Sequence, residues 1–264
     1  MGLTGGFFLI AVIVATVVTV GATMVAWGRL RGPALARWLA RLGMIVCCQL
    51  TAILVVAVWI NDNNGFYTSW ADLFGQQNPP SVAEAPARAS ADFEPAGDGM
   101  LTTTYHGPES GLTGQVMVWI PPQYHEAAFQ HYPFPVIVLL HGIPGSPQGW
   151  VTRGGAPGRI GALMSQGSLT PAVLVIPRID PGQINTDCTN VPGGAHAATW
   201  LAHDVPQLIK HTFRVADAAS SWGVVGVSTG GYCAANVTLQ YPPIFASAVA
   251  LSPDDFRGDP NVIP

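Results

Sequence analysis

Ser228 lies between Gly226 and Gly230 in the stretch Gly226-Val227-Ser228-Thr229-Gly230, a G-x-S-x-G spacing. In such a pattern the serine hydroxyl is carried on a sharp turn between a strand and a helix, exposed for attack on a carbonyl carbon. The flanking glycines let that turn close tightly and let the helix start beside the strand. A second chemical element is His141-Gly142-Ile143-Pro144-Gly145. A loop of this kind offers a backbone N–H to the oxyanion formed on attack, together with the N–H of the residue after the serine. Ile143 and Thr229 are the two candidate oxyanion donors, since Pro144 has no N–H to give. His141 itself is expected to shape the loop rather than to serve as a base.

A serine hydroxyl is a weak nucleophile near neutral pH and needs a neighbouring base. None of the seven histidines follows His211, whereas an acid and then a histidine are expected downstream of a serine at such an elbow. Asp254, Asp255 and Asp259 do lie downstream, but Asp254 and Asp255 fall at the end of the next expected strand, one strand earlier than usual. His203 and His211 precede the serine on an expected helix. His203 and Asp204 are adjacent there, so they do not face one another. The expectation is a serine centre without its acid and histidine, either on a C-terminally incomplete fold or on a domain that keeps the fold without turnover. Cys188 and Cys233 are expected to pair if the compartment is oxidising and to stay as two buried thiols otherwise. The cysteine spacing suggests no metal, and no cofactor is expected.

These groups need a scaffold. Apolar runs at 115–120, 135–140, 172–176, 222–227 and 246–251 read as strands, the later ones continuous enough for a buried parallel sheet. Helix-like stretches at 158–166, 198–211 and 231–241 alternate with them. Strand–helix alternation predicts an α/β fold with a doubly wound, mostly parallel sheet, in a domain spanning 100–264.

The N-terminal part has a different character. Charged residues make up only 10% of the chain and the mean hydropathy is +0.34, and the apolar excess is concentrated before residue 61. Two transmembrane helices are expected, at about 4–27 and 43–60, each near the roughly 20 residues that cross a bilayer. No Lys or Arg precedes the first run, and that run is longer than the apolar part of a signal peptide. Between the spans, Arg29, Arg31, Arg37 and Arg41 form a basic connector that should stay cytoplasmic. The C-terminal domain would then be extracytoplasmic, on a multi-pass protein of the cell membrane. Cys47 and Cys48 fall inside the second span and are expected only to pack. A Pro-, Ala-, Ser- and Gln-rich stretch at 61–99 reads as a flexible linker, with Trp70, Leu73 and Phe74 a candidate short interfacial helix. The net charge of −4 and the absence of a basic patch beyond the connector argue against nucleic acid as a partner. The expected partners are the lipid bilayer and a small ester or acyl donor.

Four segments together carry a family resemblance: Leu139-Leu140-His141-Gly142 with Trp150 following, Asp187-Cys188-Thr189-Asn190, Ala202-His203-Asp204-Val205-Pro206, and Gly226 through Tyr232. From about 115 to 255 the chain resembles the esterase D-like branch of α/β hydrolases, which includes enterochelin esterases, S-formylglutathione hydrolases and mycolyltransferases. It is also similar to the membrane-tethered esterase-like proteins of actinobacteria. The resemblance implies an α/β-hydrolase fold and a serine esterase or acyltransferase chemistry. Ser228 would be the nucleophile, forming an acyl-enzyme, with Ile143 and Thr229 as the oxyanion-hole donors. Without the acid and the histidine that chemistry would be impaired. A catalytically inactive, membrane-tethered binding or scaffold protein is the alternative.

Overall fold

The computed structural model describes residues 6–64, 67, 70–73, 92–97, 99–152, 154–183 and 185–254. The chain divides into two compact units, Met1–Gln76 and Gln77–Pro264.

The first unit is a helical hairpin. Helix α1 runs Gly6–Trp27 and helix α2 runs Ala34–Asn64. The two lie side by side and antiparallel, since Arg41 donates to the Trp27 carbonyl (3.4 Å) while Thr23 meets Cys48 Sγ (3.4 Å). Both helices are long and apolar enough to cross a membrane. Their apolar side chains are exposed almost all round, Ile10, Val17 and Met24 on α1 and Leu50, Ile53 and Val56 on α2. The basic connector is shorter than expected. Helix α2 starts at Ala34 rather than near 43, so only 28–33 connects the helices, and Arg37 and Arg41 sit on the helix itself. Ala, Leu and Arg dominate 34–42 and are the strongest helix formers, and the Pro33 carbonyl accepts the N–H of Arg37 to begin the first turn. A four-residue helix α3, Trp70–Leu73, follows, with Trp70 edge-on to Phe8. Of the linker expected over 61–99, residues 61–64 belong to α2, while Phe74 and the rest of 74–91 lie outside the described residues.

The second unit is built on a seven-stranded mixed sheet with the order β1-β2-β3-β5-β4-β6-β7. In chain order it contains β1 (Glu94–Pro95), β2 (Met100–His106), β3 (Thr113–Trp119), β4 (Val136–Leu140), α4 (Gln148–Thr152), α5 (Ala156–Ser165) and β5 (Val173–Pro177). A helical segment follows, made of α6 (Ala197–Thr199), a π turn (Trp200–Asp204) and α7 (Val205–Thr212). The chain then forms β6 (Trp222–Val227), α8 (Thr229–Gln240) and β7 (Ser247–Leu251). Strands β1, β2, β3 and β5 pair antiparallel, whereas β5, β4, β6 and β7 pair parallel. The sheet starts earlier than the domain boundary expected at 100, because Glu94 and Pro95 pair with Thr102 and Leu101.

Side-chain alternation sorts the strands into two cores. Val116, Val118, Val138, Leu140, Val173 and Val175 face α6–α7 and α8, packing against Trp200, Leu208, Ile209, Ala234 and Val237. Met117, Leu139, Leu174 and Ile176 face the other way, towards Ala156 and Met164 of α5. Burial on both faces explains why β4 and β5 are continuous apolar runs.

Candidate active site

Strands β4 and β6 are parallel neighbours, with Leu140 in register with Gly226. Their C-terminal ends therefore open side by side. The chain leaves β4 for β5 on one side, and β6 lies on the other, so this is the point where the winding of the sheet changes direction. Ligand sites of open α/β sheets form at such points.

At the end of β6 the backbone turns through Ser228, which has φ 56° and ψ −128°. A positive φ is uncommon for a residue other than glycine and marks a locally strained turn. The neighbours explain how so tight a turn fits. A Cβ on Gly226 would run into the Gly230 carbonyl, and one on Gly230 into the carbonyls of Leu140 and His141. Helix α8 starts at once, with the Ser228 carbonyl accepting N–H groups from Gly231 (2.8 Å) and Tyr232 (3.1 Å). Thr229 is thus a first-turn residue, whose N–H has no acceptor within the helix.

The loop after β4 packs against this turn. A Cβ on Gly142 would stand 3.1 Å from Ser228 Cβ and 3.6 Å from its Oγ, so glycine permits the close approach. Ile143 follows directly, joined to Pro144 by a cis peptide. Behind the loop, His141 is 3% exposed. Its Nε2 accepts the Ile179 N–H (3.2 Å), which leaves the proton on Nδ1 to donate to the Gly142 carbonyl (2.8 Å). Burial pushes its pKa down to about 4, and the nearby Arg178 pushes in the same direction. His141 is therefore a neutral, fully engaged loop support. Arg178 is itself bound to Asp180, Nε to Oδ1 at 3.0 Å.

The other histidines considered from sequence lie elsewhere. His203 sits 3.8 Å from Glu109 and edge-on to Tyr241, and His211 bonds the Gln207 carbonyl (2.7 Å). Asp204 is fully buried and accepts the N–H groups of Glu109 (2.9 Å) and Ser110 (3.0 Å). Among the described residues no histidine hydrogen-bonds Ser228.

An aspartate does. Ser228 Oγ donates to Asp254 Oδ1 at 3.2 Å, and Thr229 Oγ1 donates to Asp254 Oδ2 at 2.7 Å. Strand β7 brings it there, pairing parallel with β6 so that Leu251 lies beside Val227, while the Ser228 N–H bonds the Leu251 carbonyl at 3.0 Å. On the helix side, Cys188 and Cys233 form a disulfide that ties the loop after β5 to the second turn of α8. Asp187 and Cys188 both have positive φ in that loop, and Asn236 Nδ2 on α8 also holds the Asp187 carbonyl (3.4 Å).

Several known proteins are similar to this chain. A ferulic acid esterase is similar over 58% of this chain and 57% of its own, at 22% identity and TM-score 0.52. An S-formylglutathione hydrolase from Agrobacterium tumefaciens is similar over 61% of each chain, at 18% identity and TM-score 0.49. An uncharacterized protein of Corynebacterium glutamicum is 28% identical over 186 residues, which are 70% of this chain and 42% of that protein. The chain thus spans less than two thirds of the length of each of these relatives. Residues 111–256 match the model of the Esterase family, described as "Putative esterase". That match covers more than half of the chain and contains both the β4 loop and the serine turn, and the chain therefore belongs to the Esterase family of α/β hydrolases.

Proposed function

We propose that this protein is a membrane-anchored serine esterase or acyltransferase that works through an acyl-enzyme on Ser228. The observation that carries the reading is the positive-φ turn that presents Ser228 at the mouth of β6, with the Gly142 loop packed against it. The Ser228 hydroxyl would add to the carbonyl of a small ester, and the backbone N–H groups of Ile143 and Thr229 would hold the resulting oxyanion. Transfer of the acyl group to water makes an esterase; transfer to an alcohol makes an acyltransferase. With no imidazole bonded to Ser228 among the described residues, turnover is expected to be slow. The same observation supports a second reading, a tethered binding protein that keeps the hydrolase fold. The two separate by labelling the full chain with a fluorophosphonate. Ser228 is supported if Ser228→Ala abolishes the labelling, and a variant that is still labelled would overturn the assignment.

The anchor would be the α1–α2 hairpin. Its exposed apolar surface suits lipid, and all four arginines of 28–42 lie at one end of it, as expected for the cytoplasmic side. The catalytic unit would then lie outside the cytoplasm, where the Cys188–Cys233 bridge can persist. Protease added to intact spheroplasts should digest the C-terminal unit; protection there, with digestion in inverted vesicles, would reverse the orientation. A soluble chain lacking residues 1–27 would show instead that α1 is a cleaved signal sequence.

A further inference from the structure

We infer that the connector end of the α1–α2 hairpin is a binding site for anionic phospholipid headgroups, whose phosphates its arginines hold. The inference rests on the reading of the hairpin as the membrane anchor.

The two helices are unequal in length, and the excess lies at one end. Helix α1, with 22 residues, is about 33 Å long and matches the roughly 30 Å hydrocarbon core, whereas the 31 residues of α2 span about 46 Å. From the contact of Thr23 with Cys48 the helices run almost equally far in one direction, to Gly6 and to Asn64. In the other direction α1 stops at Trp27, beside Arg41, while α2 continues back to Ala34. Two turns of α2, about 10 Å, therefore stand beyond the end of α1, at headgroup level.

This overhang has two sides. Leu35, Trp38, Leu39 and Leu42 recur at helical spacing and are all exposed, a stripe that suits the upper acyl chains. Arg37 and Arg41, one turn apart, share a different side. Arg41 is committed to α1, donating to the Trp27 carbonyl and lying over its ring, 5.1 Å from the centroid. Arg37 is exposed, as are Arg29 and Arg31 in the connector. The first turn of α2 holds no acid, so its N–H groups add the positive end of a long helix dipole. None of residues 1–61 is acidic, and Asp62 lies at the opposite end of α2, so the hairpin supplies no counter-charge here.

A phosphate diester matches these donors. It stays anionic, a guanidinium takes it through two parallel N–H···O bonds, and the apolar stripe receives its acyl chains beside the same helix turns. Orientation alone would require positive charge near the spans, but not an amphipathic overhang to carry it.

The test uses the full-length chain in vesicles of zwitterionic phosphatidylcholine and anionic phosphatidylglycerol, one lipid at a time carrying brominated acyl chains that quench nearby tryptophan. The difference between the chain and Trp38→Phe isolates quenching at Trp38, and Trp59→Phe does the same at the far end of α2. Phosphatidylglycerol should be preferred about tenfold or more at Trp38, falling as salt rises, with no preference at Trp59. Combining Arg29→Gln, Arg31→Gln and Arg37→Gln, which leaves Arg41 on Trp27, should bring the two lipids to parity at Trp38. The same three positions changed to Lys should keep most of the preference. Equal quenching of wild-type Trp38 by the two lipids, or a preference that survives the three Gln changes, would overturn the site while leaving the hairpin in the bilayer. The arginines would then serve orientation or a soluble acidic partner. If neither lipid quenches Trp38 or Trp59, the anchor reading on which the inference stands is itself removed.

Discussion

Asp204 and Asp254 are the same chemical group in two settings. Each accepts two hydrogen bonds, and each joins segments that are distant in sequence. Asp204 is fully buried and receives two backbone N–H groups from the β2–β3 turn. That turn is shaped around it, since a Cβ on Gly107 would collide with the carboxylate. Asp254 is half-buried and receives two side-chain hydroxyls. An amide N–H does not release its proton in ordinary chemistry, so the Asp204 contacts can only hold structure. A hydroxyl can release its proton when an electrophile arrives, so the Asp254 contacts involve a group that can also react. The donors, more than the carboxylate, separate the two settings: one carboxylate ties backbone amides, the other joins two hydroxyls of the serine turn.

The contrast is exposed most directly by stability. Asp204→Ala should destabilise the C-terminal unit by about 4 kcal/mol, because two charge-assisted bonds are lost and two sheltered N–H groups are left unpaired. Asp254→Asn should cost less, about 1 kcal/mol or below, because the half-exposed amide can still exchange hydrogen bonds with both hydroxyls. Urea midpoints measured on both variants check this, and equal losses would break the distinction.

Acid gives a second and somewhat smaller lever. The folded pKa of His141 is pushed down to about 4 by burial, whereas an unfolded histidine titrates near 6.5. Between these values the unfolded chain binds more protons than the folded one, so stability is lost as pH falls from about 6.5 towards 4. The loss attributable to His141 is about 3 kcal/mol over the window. His141→Asn should flatten that part of the profile, which separates the support behind the β4 loop from the carboxylate in front of it. If wild type and variant fall in parallel, His141 is not the group being titrated.

The smallest effect concerns the turn itself. Ser228→Gly removes both the hydroxyl and the cost of holding a substituted residue at positive φ. It should raise stability by about 1 kcal/mol while abolishing fluorophosphonate labelling. A destabilised Ser228→Gly variant would mean that the Asp254 contact contributes more to the fold than the positive φ costs.

Much of this is legible in the sequence. The serine turn is legible because its requirements are local: a strand, two glycines and a helix start within a few residues. Strands β4, β5 and β6 were legible because burial on both faces leaves them continuously apolar. Strand β2 was not, since Thr102-Thr103-Thr104 interrupts its pattern and only Met100, Thr103 and Tyr105 are buried. The early start of α2 was obscured because its arginines suggested a connector, although Ala, Leu and Arg all favour helix. The contact between Asp254 and Ser228 depends on β7 returning parallel to β6, which puts both C-terminal ends at one edge of the sheet. The available signal was an aspartate just past the strand that follows the serine. In sequence that position falls one strand earlier than the acid expected downstream of such a serine. Only the pairing of Leu251 beside Val227 shows that this position reaches the serine itself.

Strand β7 carries one more consequence. It is the outermost strand of the sheet, all five of its residues are exposed, and Val249 and Leu251 offer apolar surface. Among the described residues no strand lies on its outer side, so one row of backbone N–H and C=O groups has no ladder partner there. Short apolar edges of this kind template pairing with another chain. Any segment that comes to lie along this edge, of this chain or of another, would meet backbone groups already spaced to pair with it.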